Sequence, residues 1–271
     1  MDYFTEHIPS GGAPGTGSLA GRALKEPQPY LKDIAGYVSQ LIKDGDTLQI
    51  GVGRATEPLV RLGLLNDKHD LGWHSEATPP GVISAVGDGE ITGRFKTLYP
   101  GKVIVPSLGG GSLEEINVSK NNPLFWLIDV DHLYRTVSLN DNMIAINNAL
   151  AVDLTGQIAA ETMGYQILAG SGGQPPFVYG ALLSKGGRSV TVLPSTAKTK
   201  EGGAVSRIVT THRPGTVVTI PRVMADIVVS EYGIARLRGR SLRQRAEELI
   251  AIAHPDFRAE LNKEARRLFW P

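Results

Sequence analysis

Cysteine is missing from all 271 residues. Its absence excludes disulfides and thiolate nucleophiles, and it fits a reducing compartment. No apolar run approaches the ~18 residues that signal a membrane-crossing helix, so no membrane partner is expected. Neither sign of charge is in excess: 28 Lys and Arg stand against 27 Asp and Glu, for a net charge of +1. Such a balance gives no support to a nucleic-acid or other polyanionic partner. The opening MDYFTEHIPSGG is acidic and polar, unlike a signal peptide, and the expected location is cytoplasmic.

Glycine is abundant, with 32 residues, as in α/β folds with many short connections. The length suffices for one large or two small domains. Residues 1–29 carry little periodicity, and Ser10 to Ser18 (SGGAPGTGS) reads as a linker or an arm reaching towards another chain. Residues 30–271 read as the folded domain.

Within that domain, Tyr30–Lys43 puts Leu31, Ile34, Val38, Leu41 and Ile42 on one helical face, with Gly45 as its stop. Thr47–Gly53 is a buried strand ending in a G-x-G turn, and Ala55–Leu64 is expected as a helix. That unit is either a small anion cradle or tight strand-to-helix packing. Leu71–Glu76 reads as a strand. Its Ser75, His74 and Glu76 do not make a hydrolytic triad, because neighbours on a strand point to opposite faces; His74 is expected as a hydrogen-bonded residue near the strand end. Lys102–Pro106 is a strand followed by the Gly-rich turn Leu108–Ser112 and a helix Leu113–Val118. Phe125–Ile128 is a strand, with Asp129 and Asp131 as capping acids rather than metal ligands, and no metal site is expected.

The central stretch is Ile144–Phe177. Strand runs Met143–Val152 and Gln157–Thr162 flank the turn Leu154-Thr155-Gly156. The chain then passes through Gly170-Ser171-Gly172-Gly173-Gln174 into a helix Pro176–Ser184. Glycine lets backbone amides approach a ligand, and the helix start favours negative charge. With Glu161 nearby, this suggests a site for a small anion or a developing oxyanion.

Further on, Ser189–Leu193 is a strand and Thr196–Ser206, carrying Lys198 and Lys200, a mobile surface loop. Arg207–Val209, Thr216–Ile220 and Ile227–Ser230 are β runs. Ser241 and Gln244 form a capping box for a helix with Leu242, Ala246, Leu249, Ile250 and Ala253 on one face. His254-Pro255-Asp256 breaks it before a last helix, Phe257–Phe269. Alternating strands and helices argue for an α/β fold with a mostly parallel sheet and helices on both faces. Ligands then belong at the carboxyl ends of the strands.

Several runs, in order, resemble the acetyl-CoA hydrolase/transferase family. They are Asn140–Met143, Ile146–Gln157 (INNALAVDLTGQ), Gly170–Phe177 (GSGGQPPF), Leu193–Ala197, Ser206–Val209, Ser230–Gly233, Leu237–Gly239 and Ala253–Phe257. The resemblance implies a NagB/RpiA/CoA-transferase-like fold, a coenzyme A thioester as substrate with no permanently bound cofactor, and a short carboxylic acid as second substrate. It implies CoA contacts at Gly170, Gly172, Gly173, Gln174 and Phe177, and close backbone approach at Gly233 and Gly239. Family members carry two tandem domains, and this chain resembles the C-terminal one. An N-terminal-domain partner chain or a homo-oligomer is therefore expected. The resemblance also puts the family's nucleophilic glutamate at position 151, where this chain has Ala151. Activity is then lost, turned to hydrolysis by water, or carried by another acid such as Glu161. The expected function is a CoA-transferase or acyl-CoA hydrolase subunit; the alternative is a non-catalytic CoA-binding or regulatory module.

Overall fold

The computed structural model describes residues 26–108, 113–199 and 202–270. The N-terminal arm, the Gly109–Gly111 turn and Lys200 lie outside the described residues. In chain order the elements are α1 (Tyr30–Ser39), β1 (Thr47–Ile50), β2 (Gly72–His74), α2 (Val82–Gly87), β3 (Val103–Val105), α3 (Leu113–Ser119), β4 (Phe125–Leu127) and α4 (Val130–Arg135). Next come β5 (Met143–Asn148), β6 (Ala151–Asp153), β7 (Ile158–Ala159), β8 (Thr162–Met163), β9 (Gln166–Ile167) and α5 (Gln174–Leu183). The chain finishes with β10 (Arg188–Val192), β11 (Thr196–Lys198), β12 (Ala204–Ser206), β13 (Ile208–Val209), β14 (Ile227–Ser230), β15 (Gly233–Arg236), α6 (Leu242–Ala251) and α7 (Pro255–Phe269).

One eight-stranded sheet runs β15-β14-β10-β5-β1-β2-β3-β4. Its pairings are parallel except β14 with β15. The central strands are buried on both faces, and their polar residues Thr47, Gln49, Asn147, Ser189 and Thr191 are buried with them. In β5, Ile144 and Ile146 join the core under α1, while Met143 and Ala145 face Leu133, Phe177 and Ala181 on the other side. A third core packs Val152, Leu154 and Ile158 against α6 and α7. Each such aliphatic side chain, fully buried, contributes about 1.5–3 kcal/mol. Arg188 ties the layers together by donating to the Leu41 carbonyl and to buried Asp46.

Several expected elements differ, the run Met143–Val152 among them: it splits into β5, in the main sheet, and β6, in a three-stranded sheet with β13 and β7. α1 ends at Ser39, ahead of Gly45, which sits at φ +77° in the following turn. Residues 55–64 form consecutive turns instead of a helix; Pro58 supplies no amide and Gly63 has φ +93°. Residues 196–206 are an antiparallel hairpin, β11 with β12, instead of a loop. Residues 216–220 make no strand beyond one bridge, Ile158 with Ile220. There, threonine hydroxyls stand in for ladder partners: Thr216 and Thr219 accept from the amides of Gly164 and Ala160. Elsewhere, the Ser241–Gln244 capping box is present in both directions, and Asp129 caps α4 through the amides of Asp131 and His132. Leu242 is exposed, unlike the other four residues of its expected face. Among the described residues, no helix is long and apolar enough to cross a membrane.

Lys96 is buried beside β2. Its stem lies over Gly72, where a Cβ would come within 2.5 Å of Lys96 Cγ. Its Nζ donates to the Trp73 and Lys102 carbonyls at 2.9 and 3.0 Å. Two acceptors match the two N–H bonds of a neutral amine, and burial pulls its pKa down to about 7. The folded form then releases this proton at a lower pH than the unfolded chain does. Between about pH 7 and the ordinary lysine value, stability rises with pH by up to about 1.4 kcal/mol per unit. Lys96→Met is expected to flatten that rise and to stabilise the protein most near pH 6, as read from urea midpoints between pH 6 and 9.5. An identical pH slope in the variant would refute this.

Candidate active site

In a parallel sheet the ligand crevice opens beyond the carboxyl ends of strands where the strand order reverses. Here the chain steps outward from β1 to β4, then returns to the other flank of β1 as β5. Side chains fill the mouth between those two strands. A Cβ on Gly51 would lie 2.5 Å from Asn147 Oδ1, and one on Gly53 only 1.6 Å from Asn148 Oδ1. Gln49 and Asn147 exchange two amide hydrogen bonds of 3.0 Å below it. The G-V-G turn is therefore tight packing against two asparagines, and the anion-cradle alternative does not hold there.

One strand further out, β2 ends at His74 and the chain continues through Ser75 to Glu76. His74 is fully buried, and its Nε2–H donates to the Leu133 carbonyl at 3.0 Å. Burial pulls its pKa down to about 3, so it stays neutral. Ser75 is anchored by its amide on the Ile104 carbonyl at 3.1 Å. Glu76 follows, half-buried, and among the described residues its carboxylate has one hydrogen-bond donor: Tyr134 Oη, 2.8 Å from Oε2. Burial first, and then the Glu76 hydrogen bond and charge, push the Tyr134 phenol well above its ordinary value. The phenol keeps its proton and donates, leaving Oε1 without a donor.

The glycine loop reaches the same carboxylate. A Cβ on Gly173 would lie 2.3 Å from Glu76 Oε2 and 3.0 Å from Tyr134 Oη, so a larger residue would have to push the carboxylate aside. Gly170 and Gly172 are exposed beside it, and Gly172 takes φ +53°. Gln174 opens α5, buried, with Nε2 lacking a partner; Trp73 Nε1, His74 Nδ1 and Thr78 Oγ1 are buried and unpartnered as well. Buried polar atoms without a partner call for a structural or functional explanation, and Thr47 Oγ1 and Asn140 Oδ1 share this state elsewhere in the fold. Two prolines, Pro175 and Pro176, take two amides away from the α5 start, so this helix offers an anion fewer donors than expected.

The other expected residues lie elsewhere. Phe177 is no ligand contact: it is fully buried, its ring meeting the Tyr134 ring edge-on at 5.6 Å between centroids. Gly233 and Gly239 flank β15, five sheet spacings from β2, or about 24 Å at ~4.8 Å each. Gly239 is also at the wrong end of the sheet, since β15 runs back past β14 to where Leu237 N meets the Asp226 carbonyl. Ala151 opens β6 and lines a separate cavity. Asp153 is consumed by its own turn, accepting from Thr155 and Gln157. Glu161 Oε1 accepts from Thr219 Oγ1 at 2.9 Å. Glu76 is the carboxylate that sequence reasoning passed over. Its available signal was an acid just past the carboxyl end of a short buried strand, ahead of a Pro-Pro-Gly turn.

A mostly parallel sheet covered by helices defines an α/β protein, and solved CoA-transferase structures are among its neighbours. The chain belongs to the acetyl-CoA hydrolase/transferase family: residues 111–265 match the model of that family's C-terminal domain. It is 42% identical over 240 residues to the 4-hydroxybutyrate coenzyme A transferase of Clostridium kluyveri, covering 88% of this chain and 54% of that one. The crystal structure of RipA from Yersinia pestis superposes with TM-score 0.80 at 35% identity, covering 90% of this chain and 54% of that one. That of 4-hydroxybutyrate CoA-transferase from Porphyromonas gingivalis gives TM-score 0.73 at 41% identity, covering 88% and 56%. The chain thus spans about half the length of the curated relatives it matches.

Gly173 has an ordinary φ of −79°, so an alanine there would strain contacts and not the backbone. Gly173→Ala is expected to cost about 1–3 kcal/mol, whereas Gly170→Ala, with nothing within 4 Å of a new Cβ, is expected to be neutral within ~0.5 kcal/mol. Equal urea midpoints for the two variants would show that the loop does not press on the carboxylate.

Proposed function

We propose that this chain is the C-terminal half of a CoA-transferase that moves CoA between a short-chain acyl-CoA and a carboxylate, with Glu76 as the attacking carboxylate. The observation that carries this is the contact of Glu76 with Gly173 and Tyr134. The family runs quoted above include the glycine loop, and the loop's closest acid is Glu76. Position 151 has no such neighbours, so a carboxylate there is not required and its absence does not imply lost activity.

The steps follow from carboxylate chemistry. Glu76 Oε1 adds to the thioester carbonyl; the C–S bond breaks, giving a mixed acyl–glutamyl anhydride and CoA thiolate. The thiolate attacks the Glu76 carbonyl carbon, the acyl carboxylate leaves, and CoA stays on Glu76 as a thioester. The acceptor carboxylate then runs the two steps in reverse, releasing a new acyl-CoA and the free glutamate. Tyr134 holds Oε2 so that Oε1 faces the substrate, and its high pKa prevents proton transfer to the nucleophile. Amides of the glycine loop are suited to the negative charge that develops on the thioester oxygen. Because the relatives are about twice as long, we further propose that a second domain, joined or separate, closes over this mouth.

Incubation with acyl-CoA is expected to add CoA to the peptide carrying Glu76, detectable by mass spectrometry. Glu76→Gln should abolish the adduct and lower exchange at least ~1000-fold. Tyr134→Phe should lower it roughly 10- to 100-fold with the adduct still on Glu76. Full activity in Glu76→Gln would overturn the assignment. CoA binding by wild type with no turnover, even beside a co-purifying second domain, would instead favour the non-catalytic module.

A further inference from the structure

Away from Glu76, the β6–β7 hairpin, the start of β8 and the residues on either side of β13 enclose a cavity of about 70 Å³. Ala151, Met163 and Val209 supply apolar wall; Arg207, His212 and Arg213 supply basic groups; among the described residues no acid lines it. Arg207 is fixed by Nε on the Thr196 carbonyl at 3.2 Å and Nη1 on the Leu150 carbonyl at 3.1 Å. The Tyr30 phenol and, less strongly, Glu231 favour its charge; Glu231 already accepts from Ser195, whose Oγ and N donate at 2.6 and 2.9 Å. Burial opposes the charge on Arg207, yet a guanidinium does not give up its proton in a protein. His212 is anchored too: Nε2 lies 2.9 Å from the Gln157 carbonyl. A carbonyl only accepts, so Nε2 carries the proton and Nδ1 is left over. Arg213 is exposed at the mouth.

We infer that this cavity binds a small monocarboxylate with a short aliphatic tail, the carboxylate meeting Arg207 and Arg213 and the tail lying on Ala151 and Met163. A half-buried cation without a bonded acid calls for an anion. The apolar wall argues against inorganic phosphate, and the basic lining against amines. At ~10–15 Å³ per water, the space equals about five to seven waters, which suits an acid of roughly three or four carbons. Under this assignment the methyl of Ala151 is what leaves room for the tail. The assignment does not depend on Glu76 or on transfer, and its test reads binding directly.

Calorimetry with the whole chain would compare butyrate, butan-1-ol, n-butylamine and inorganic phosphate. Butyrate is expected to bind one to one, at least roughly tenfold more tightly than the other three. Ala151→Leu, which fills the cavity, and Arg213→Gln, at the exposed mouth, should each weaken butyrate roughly tenfold. Thermal unfolding of both variants checks that they remain folded. Absence of butyrate binding, equal binding of butan-1-ol, or butyrate affinity unchanged in Arg213→Gln would each overturn the assignment.

Discussion

The contact between the Glu76 carboxylate and Gly173 is what the candidate site depends on. It joins the carboxyl end of β2 to the loop that opens α5, and α4 completes it with the Tyr134 hydroxyl. A carboxylate pressed on a Cβ-less residue and bonded by one phenol has little freedom to turn. Such preorganisation fits the role proposed for Glu76. Phe177 belongs to the same construction from below. Its ring meets Tyr134 edge-on, so the aromatic core sets the height at which the phenol meets the acid.

Much of the fold was legible because burial left period and punctuation in the sequence. Thr47–Ile50, Val103–Val105 and Arg188–Val192 are short runs rich in branched residues, bounded by turn signals, that read as strands. The Ser241–Gln244 box and the Asp129 cap announced themselves through local chemistry. Residues 55–64 misled because their apolar spacing is helical while Pro58 and Gly63 break the ladder. The antiparallel return of β15 was not visible, since Gly233–Arg236 carries no alternation that distinguishes it from a loop.

The site was legible only in part. The glycine loop stood out by composition, but which carboxylate it touches is a property of the sheet. Glu76 is about a hundred residues from Gly173 in the chain, since residue numbers 76 and 173 differ by 97. Spacing within a motif cannot report such a pairing. Glu161, nearer in sequence, bonds to Thr219 instead. Gly233 and Gly239 share glycine's composition signal yet sit on the far edge of the sheet from Glu76.

The reciprocal amide pair of Gln49 and Asn147 has a consequence for assembly of the sheet. The two side chains lie between adjacent strands, β1 and β5, whose segments are nearly a hundred positions apart in the chain. Sliding one strand past the other by a single position would strand two carboxamides in a dry interior, each with donors and acceptors unmet. The pair therefore works as a proofreading key: it rewards one alignment of distant segments and penalises every neighbouring one, at the central joint where the chain changes its direction of growth.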